Sequence, residues 1–163
     1  MDRMIYQVAV GKQSNLYEHC IKSVANYCKK YNLKHIVQTE PILKIRPDIN
    51  RTGRSKEAVE RLGYLPIFEK ENAFYYLEQF KQIAIVDSDI YIRENAPNIF
   101  DQLTDQYAFG AVAERELPCA KKYKSKIRKY SKSAFEQLTD VDWKWNQLGA
   151  EFYNMGLIVI NSK

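Results

Sequence analysis

At 163 residues and 19.2 kDa the chain has the size of one domain. Its 45% hydrophobic and 28% charged residues are ordinary for a packed globular fold, which argues against wholesale disorder, and no apolar run approaches the roughly 18 residues of a membrane-spanning helix. The net charge of +5 is concentrated: Lys121 to Lys132 holds seven basic residues and no acid, so the rest of the chain, +5 less seven, is net −2, and a nucleic-acid surface spread over the fold is not expected.

The first residues, Met1 to Ile5, enter a strand-like pattern without the apolar core of a secretory signal. Ile5-Tyr6-Gln7-Val8-Ala9-Val10 reads as a buried strand ended by Gly11. Asn15 is placed to cap the helix that follows, with Leu16, Cys20, Val24, Tyr27 and Tyr31 along one face. Cys20 and Cys28 are eight residues apart on that helix, about 12 Å, too far to bridge. With Cys119 they make three cysteines, and the expectation is a reduced, cytoplasmic protein. His35 to Gln38 reads as a second strand stopped by Pro41, so the start of the chain has the order of a parallel strand–helix–strand unit. An irregular connection and a helix near Ser55 to Leu62 come next. Pro66 then opens a helix to about Gln79, with Phe68, Phe74, Tyr75 and Leu77 as its packing residues.

Ile83-Ala84-Ile85-Val86 is the clearest buried strand, running directly into Asp87-Ser88-Asp89, after which Ile90-Tyr91-Ile92 resumes an extended pattern. A short helix over Pro97 to Leu103, a strand over Tyr107 to Ala113 and a last strand over Phe152 to Asn161 complete the order. The fold class is α/β, a mostly parallel Rossmann-like sheet with helices on both sides, formed as a single domain over 1–163.

Asp87 and Asp89 carry the functional reading. Open α/β sheets hold ligands beyond the carboxyl ends of their strands, and two carboxylates at positions i and i+2 of an extended chain share a face and suit one hard divalent cation. Acidic residues also end strands and begin turns without further purpose, but the apolar strand before this pair and the apolar triplet after it favour the site.

The segment Ile83 to Ile92 resembles the D-x-D strand of nucleotide-sugar glycosyltransferases of the GT-A fold, especially the family 8 type. In that family a basic residue on a preceding helix and an aromatic-Asn-small-Gly strand further on accompany the D-x-D. Lys70, seventeen residues before Asp87, and Tyr153-Asn154-Met155-Gly156 match them. The resemblance covers roughly Ile5 to Ser162. It implies a metal-dependent transferase that moves a sugar from a nucleoside-diphosphate donor, most often a UDP-sugar, to a glycan or other glycoconjugate acceptor, with retention of configuration. By the same resemblance Asp87 and Asp89 hold Mn²⁺ or Mg²⁺, Asp87 and Ser88 lie against the donor, and Lys70 adds positive charge near the diphosphate. Asn154 bonds sugar hydroxyls, Gly156 lets backbone approach the ligand, and Ala9, Val10 and Gly11 sit where this fold usually holds the nucleobase. Family 8 enzymes usually complete the metal shell with a His downstream of the Asn-Gly strand. Here His19 and His35 both lie upstream. The chain also stops where an acceptor-binding half would begin, so the expectation is a donor-binding portion or a minimal form.

Other features have weaker readings. The basic run Lys121 to Lys132 would draw in an anionic donor, an acidic acceptor or a membrane surface, or is a solvated loop. Trp143 and Trp145 would stack on a sugar or anchor a core, and Asp140-Val141-Asp142 reads as a turn. A haloacid-dehalogenase-type phosphatase is the enzymatic rival; it would want Thr or Val four residues after its first Asp, where this chain has Tyr91, and a later Gly-Asp pair, which is missing. A non-catalytic nucleotide-sugar-binding domain is the other.

Overall fold

A computed structural model describes residues 2–11, 14–48, 56–113, 118, 120–126 and 153–162. Five strands, β1 (Arg3–Val8), β2 (Lys34–Gln38), β3 (Gln82–Val86), β4 (Phe109–Ala113) and β5 (Tyr153–Asn161), form one sheet in the order β2-β1-β3-β5-β4. β1 pairs in parallel with both β2 and β3, while β3 pairs antiparallel with β5 through Ile83 opposite Ile160 and Ile85 opposite Ile158. The sheet is therefore mixed, and the α/β class expected from the sequence holds.

The chain forms two compact units, residues 1–110 with 156–163 and residues 111–155. In the first, β3 is buried along its whole length, which is why it reads as an unbroken apolar run rather than an alternating one. Its two faces serve two cores. Ile5, Ala84, Val86 and Val159 meet α1 (Asn15–Lys30) through Val24, Tyr27 and Cys28, with Phe100 beneath. Met4, Tyr6, Ile83 and Ile85 meet the 3-10 helix Pro66–Glu78 through Ala73, Tyr76 and Leu77. Cys20 and Cys28 are free and buried on α1. In the second unit, residues 121–126 are helical and exposed. The remainder of the basic run, Cys119, Trp143, Trp145 and Asp140 to Asp142 lie outside the described residues.

Four local expectations are corrected. Ser14, not Asn15, caps α1: its hydroxyl accepts from the Tyr17 N–H, and Asn15 is already the first helical residue. Leu16, one turn before the first residue of α1 to reach the core, stays 58% exposed. Pro66–Glu78 winds as a 3-10 helix, so residues three apart align. Lys70, Ala73 and Tyr76 turn inward while Phe74 and Tyr75 face solvent. Finally, Ile90 to Ile92 is no strand; Ile90 and Ile92 pack on the α1 core, and the Ile92 N–H bonds the Ser23 hydroxyl at 3.0 Å instead of a ladder partner.

Candidate functional site

The site is built where β3 ends. Asp87 is the first residue past the strand, and every polar group it carries has a partner. Its N–H donates to the Gly156 carbonyl at 2.8 Å, continuing the β3–β5 ladder by one residue. Its carbonyl accepts from the Ile90 N–H at 3.1 Å, closing the turn through Ser88 and Asp89, and from the Gln7 side-chain amide at 3.2 Å. Its carboxylate is ion-paired with the Lys70 ammonium. Lys70 is itself buried, and a buried ammonium is tolerable only beside an opposite charge. Three elements far apart in the chain, predicted separately, thus meet at one residue: Lys70 from the 3-10 helix, Asp87 from β3 and Gly156 from β5.

Two buried polar networks stand behind this arrangement, and the sequence reading included neither. The first runs from β2 through β1. Gln7, fully buried, accepts from His35 Nε2 at 2.9 Å and uses its own amide to hold the Asp87 carbonyl. Burial depresses the His35 pKa, and because the Gln7 amide oxygen can only accept, the bond between them puts a proton on Nε2. The second centres on Glu69, the neighbour of Lys70. Its carboxylate, with no exposed surface, accepts from the backbone N–H groups of Ile42, Leu43 and Lys44 at 2.8, 3.1 and 2.8 Å. It also accepts from the Gln38 and Asn72 side chains at 2.8 and 3.0 Å. Burial alone would raise the Glu69 pKa; the N–H groups of Ile42 and Lys44, the Gln38 amide and the Leu43 N–H outweigh it and hold the carboxyl below its ordinary range. Lys44 takes a left-handed φ of +49° within this nest, a conformation that needs such fixed partners. Tyr6 joins through its hydroxyl on Gln38. A sequence signal for both networks existed: an amide inside the apolar run Ile5 to Val10, and an acid inside a helix otherwise facing a core.

The remaining expected site residues fall as follows. Ser88 is half-buried and Asp89 exposed in the turn after Asp87. Ala9 is buried at the end of β1, donating its N–H to the Gln38 carbonyl at 2.8 Å; Val10 is half-buried, and exposed Gly11 turns the chain at φ +90°. Asn154 is half-buried on β5 and belongs to the 111–155 unit. His19 and His35, both upstream of the acidic pair, lie on α1 and on the edge strand β2.

Asp87 and Asp89 present hard carboxylate oxygens at the carboxyl end of β3, with a third of the Asp87 side chain open to solvent and Asp89 exposed. Among the described residues no group of three His, Cys, Asp or Glu side chains surrounds one point. The extended run expected through Asp87 and Asp89 is instead a turn closed by the Ile90 N–H, so the shared face that an extended chain would give the two carboxylates is not what the backbone provides. Mg²⁺ and Mn²⁺ are nonetheless commonly held by one or two carboxylates with substrate phosphate oxygens and water completing the shell.

No protein-family model and no curated protein matches the chain. Among solved structures it is similar to a glycosyltransferase involved in the glycosylation of the major capsid of PBCV-1, with a TM-score of 0.50 and 11% identity. The likeness covers 98% of this chain and 59% of that one, so the chain spans somewhat more than half the length of the structure it matches. At this identity the likeness establishes the fold alone, a Rossmann-like α/β architecture. Among the described residues no helix is long and apolar enough to cross a membrane.

Proposed function

We propose that the chain is a metal-dependent glycosyltransferase, or the donor-binding part of one, that takes a nucleoside-diphosphate sugar at the carboxyl edge of β3. The donor is a UDP-hexose, the acceptor a glycan or glycoconjugate, and the configuration is retained. The observation that carries this reading is the meeting of Lys70, Asp87 and Gly156 at one strand end, in a fold shared with a glycosyltransferase.

Asp87 and Asp89 would hold the Mn²⁺ or Mg²⁺, which when bound neutralises charge on the departing nucleoside diphosphate. Lys70 supplies a fixed ammonium beside that charge, and because it is buried its field is screened less than that of a surface lysine. Gln7 and Gly156 hold the Asp87 backbone from the strands on either side, and its carboxylate, ion-paired with Lys70, would share that charge with the cation. Ser88 and Asn154 offer hydrogen bonds to donor hydroxyls, and Ala9, Val10 and Gly11 form the nucleobase end. The reduced, cytoplasmic setting and a peripheral membrane contact through Lys121 to Lys132 belong to the same proposal.

The test is titration calorimetry with UDP in the presence and absence of Mn²⁺, on the wild-type chain and Asp89→Asn. The substitution removes one ligand charge at an exposed position, so the expected result is loss of Mn²⁺-dependent UDP binding with an unchanged melting temperature. Equal binding by the two proteins counts against the metal site. One observation favours a second reading, donor binding without turnover: the Lys70 ammonium already supplies a positive charge at Asp87. UDP binding that ignores Mn²⁺ and is lost in Lys70→Met would select it.

A further inference from the structure

A cavity of about 420 Å³ lies between α1 and residues 91–94, away from the polar networks just described. One wall is a single helical face, His19, Lys22, Asn26 and Lys30, at spacings of three and four residues. The other carries Tyr91, Arg93 and Glu94, so the lining holds three Lys or Arg side chains against one acid. Its size is within the range of small-ligand sites.

Of the three basic wall side chains, one is used by the fold. This is Lys30, whose ammonium donates to the Glu94 carbonyl at 2.8 Å and lies 4.8 Å from the centre of the Tyr31 ring. Lys22 and Arg93 face the cavity from opposite sides, and neither makes an ion pair or side-chain hydrogen bond among the described residues. Two unpaired cations on a concave surface raise the local potential more than the same charges on a convex one. Beside them the His19 and Tyr91 rings stack at 5.2 Å and 8°, and Tyr91 remains 51% exposed, so an aromatic platform adjoins the charged pair. The cavity is preformed. Ser23 donates to the Cys20 carbonyl at 2.6 Å and accepts from the Ile92 N–H at 3.0 Å, which clamps the 91–94 segment to α1 between Tyr91 and Arg93.

We infer that this cavity binds a phosphate monoester carried on a ring, the phosphate between Lys22 and Arg93 and the ring against Tyr91. A phosphate monoester brings nearly two negative charges and three acceptor oxygens, matching an ammonium and a guanidinium that line one cavity from two elements. The face of a sugar or a base covers an aromatic ring in the same way, so a sugar phosphate and a nucleotide are two sources of one chemistry. The site is distinct from the carboxylate edge and stands whether or not that edge binds a donor.

The test is binding to the full chain, by calorimetry, of glucose 6-phosphate, AMP, inorganic phosphate and glucose. The variants are Lys22→Gln/Arg93→Gln, Tyr91→Ala and Lys29→Gln, the last a lysine of α1 outside the cavity. At least one ring phosphate should bind ten times more tightly than inorganic phosphate, and glucose not at all. The double variant should weaken it at least tenfold, and Tyr91→Ala should reduce it to the level of inorganic phosphate. Lys29→Gln should leave it unchanged. Binding of glucose 6-phosphate alone identifies a saccharide source, and of AMP alone a nucleotide source; either supports the site. No binding of either, or equal weakening by Lys29→Gln and the double variant, overturns it. Every substituted side chain is exposed, and a melting temperature within about 2 °C of wild type verifies folding.

Discussion

Asp87 has partners for its N–H, its carbonyl and its carboxylate, and the lysine among them is placed by a residue that never touches Asp87. Glu69 anchors the turn of helix from which Lys70 projects and, through three backbone N–H groups, the loop at Ile42 to Lys44. A carboxylate is the only side chain that accepts all these bonds without presenting a donor. Glu69→Gln keeps the shape but sets an NH₂ group against N–H donors. The unfolding free energy should fall by about 3 kcal/mol, since each charge-assisted hydrogen bond lost is worth about 1.5–3. Urea titration measures this, and a loss below about 1 kcal/mol would mean that the loop does not depend on the charge.

Among the elements, β3 and the helix Pro66–Glu78 do most to place the site, the strand by ending at Asp87 and the helix by turning Lys70 inward. The first helix contributes through its start. Ser14 meets the Tyr17 N–H with its hydroxyl, while Asn15, equally suited by type, lies inside the helix. Ser14→Ala should therefore cost about 1 kcal/mol, the usual worth of an N-cap, and Asn15→Ala should be neutral or slightly stabilising. Thermal unfolding of the two variants separates them, and the reverse order would place the cap at Asn15. The segment Ile90 to Ile92 illustrates the opposite limit: alternation alone suggests a strand, but the α1 core and the Ser23 hydroxyl take its side chains and its N–H.

For the whole molecule, buried titratable groups define a pH window of stability. His35 has a lowered pKa in the folded chain through burial, so as pH falls through 6.5 the unfolded chain takes up its proton first and stability declines. Glu69, also lowered, contributes fully above 4.5 and loses its contribution as pH falls through the lower folded value. On the alkaline side burial pushes Cys28 from 9.0 to about 12 and Tyr6 from 10.0 to about 12. The unfolded chain ionises first there, and stability declines as pH rises. The melting temperature should therefore be highest between about pH 6.5 and 9 and fall on both sides. In Cys28→Ala the alkaline decline should begin nearer 10, where Tyr6 takes over. A profile unchanged by that substitution would show that Cys28 does not set the limit.

Local order along the chain was enough to recognise the α/β class, the central strand and the acidic pair that follows it, because a strand buried on both faces must be apolar throughout and its end must turn. The same local order made Lys70 and Gly156 candidates only by resemblance. Their meeting at Asp87 is a matter of tertiary structure, since a helix, β3 and β5 come together only when the sheet assembles. The roles of Gln7, His35 and Glu69 were decided there as well. A buried amide or carboxylate must find partners, and which groups it finds depends on segments brought close from 25 to 80 residues away in the chain, the loop at Ile42 to Lys44 among them.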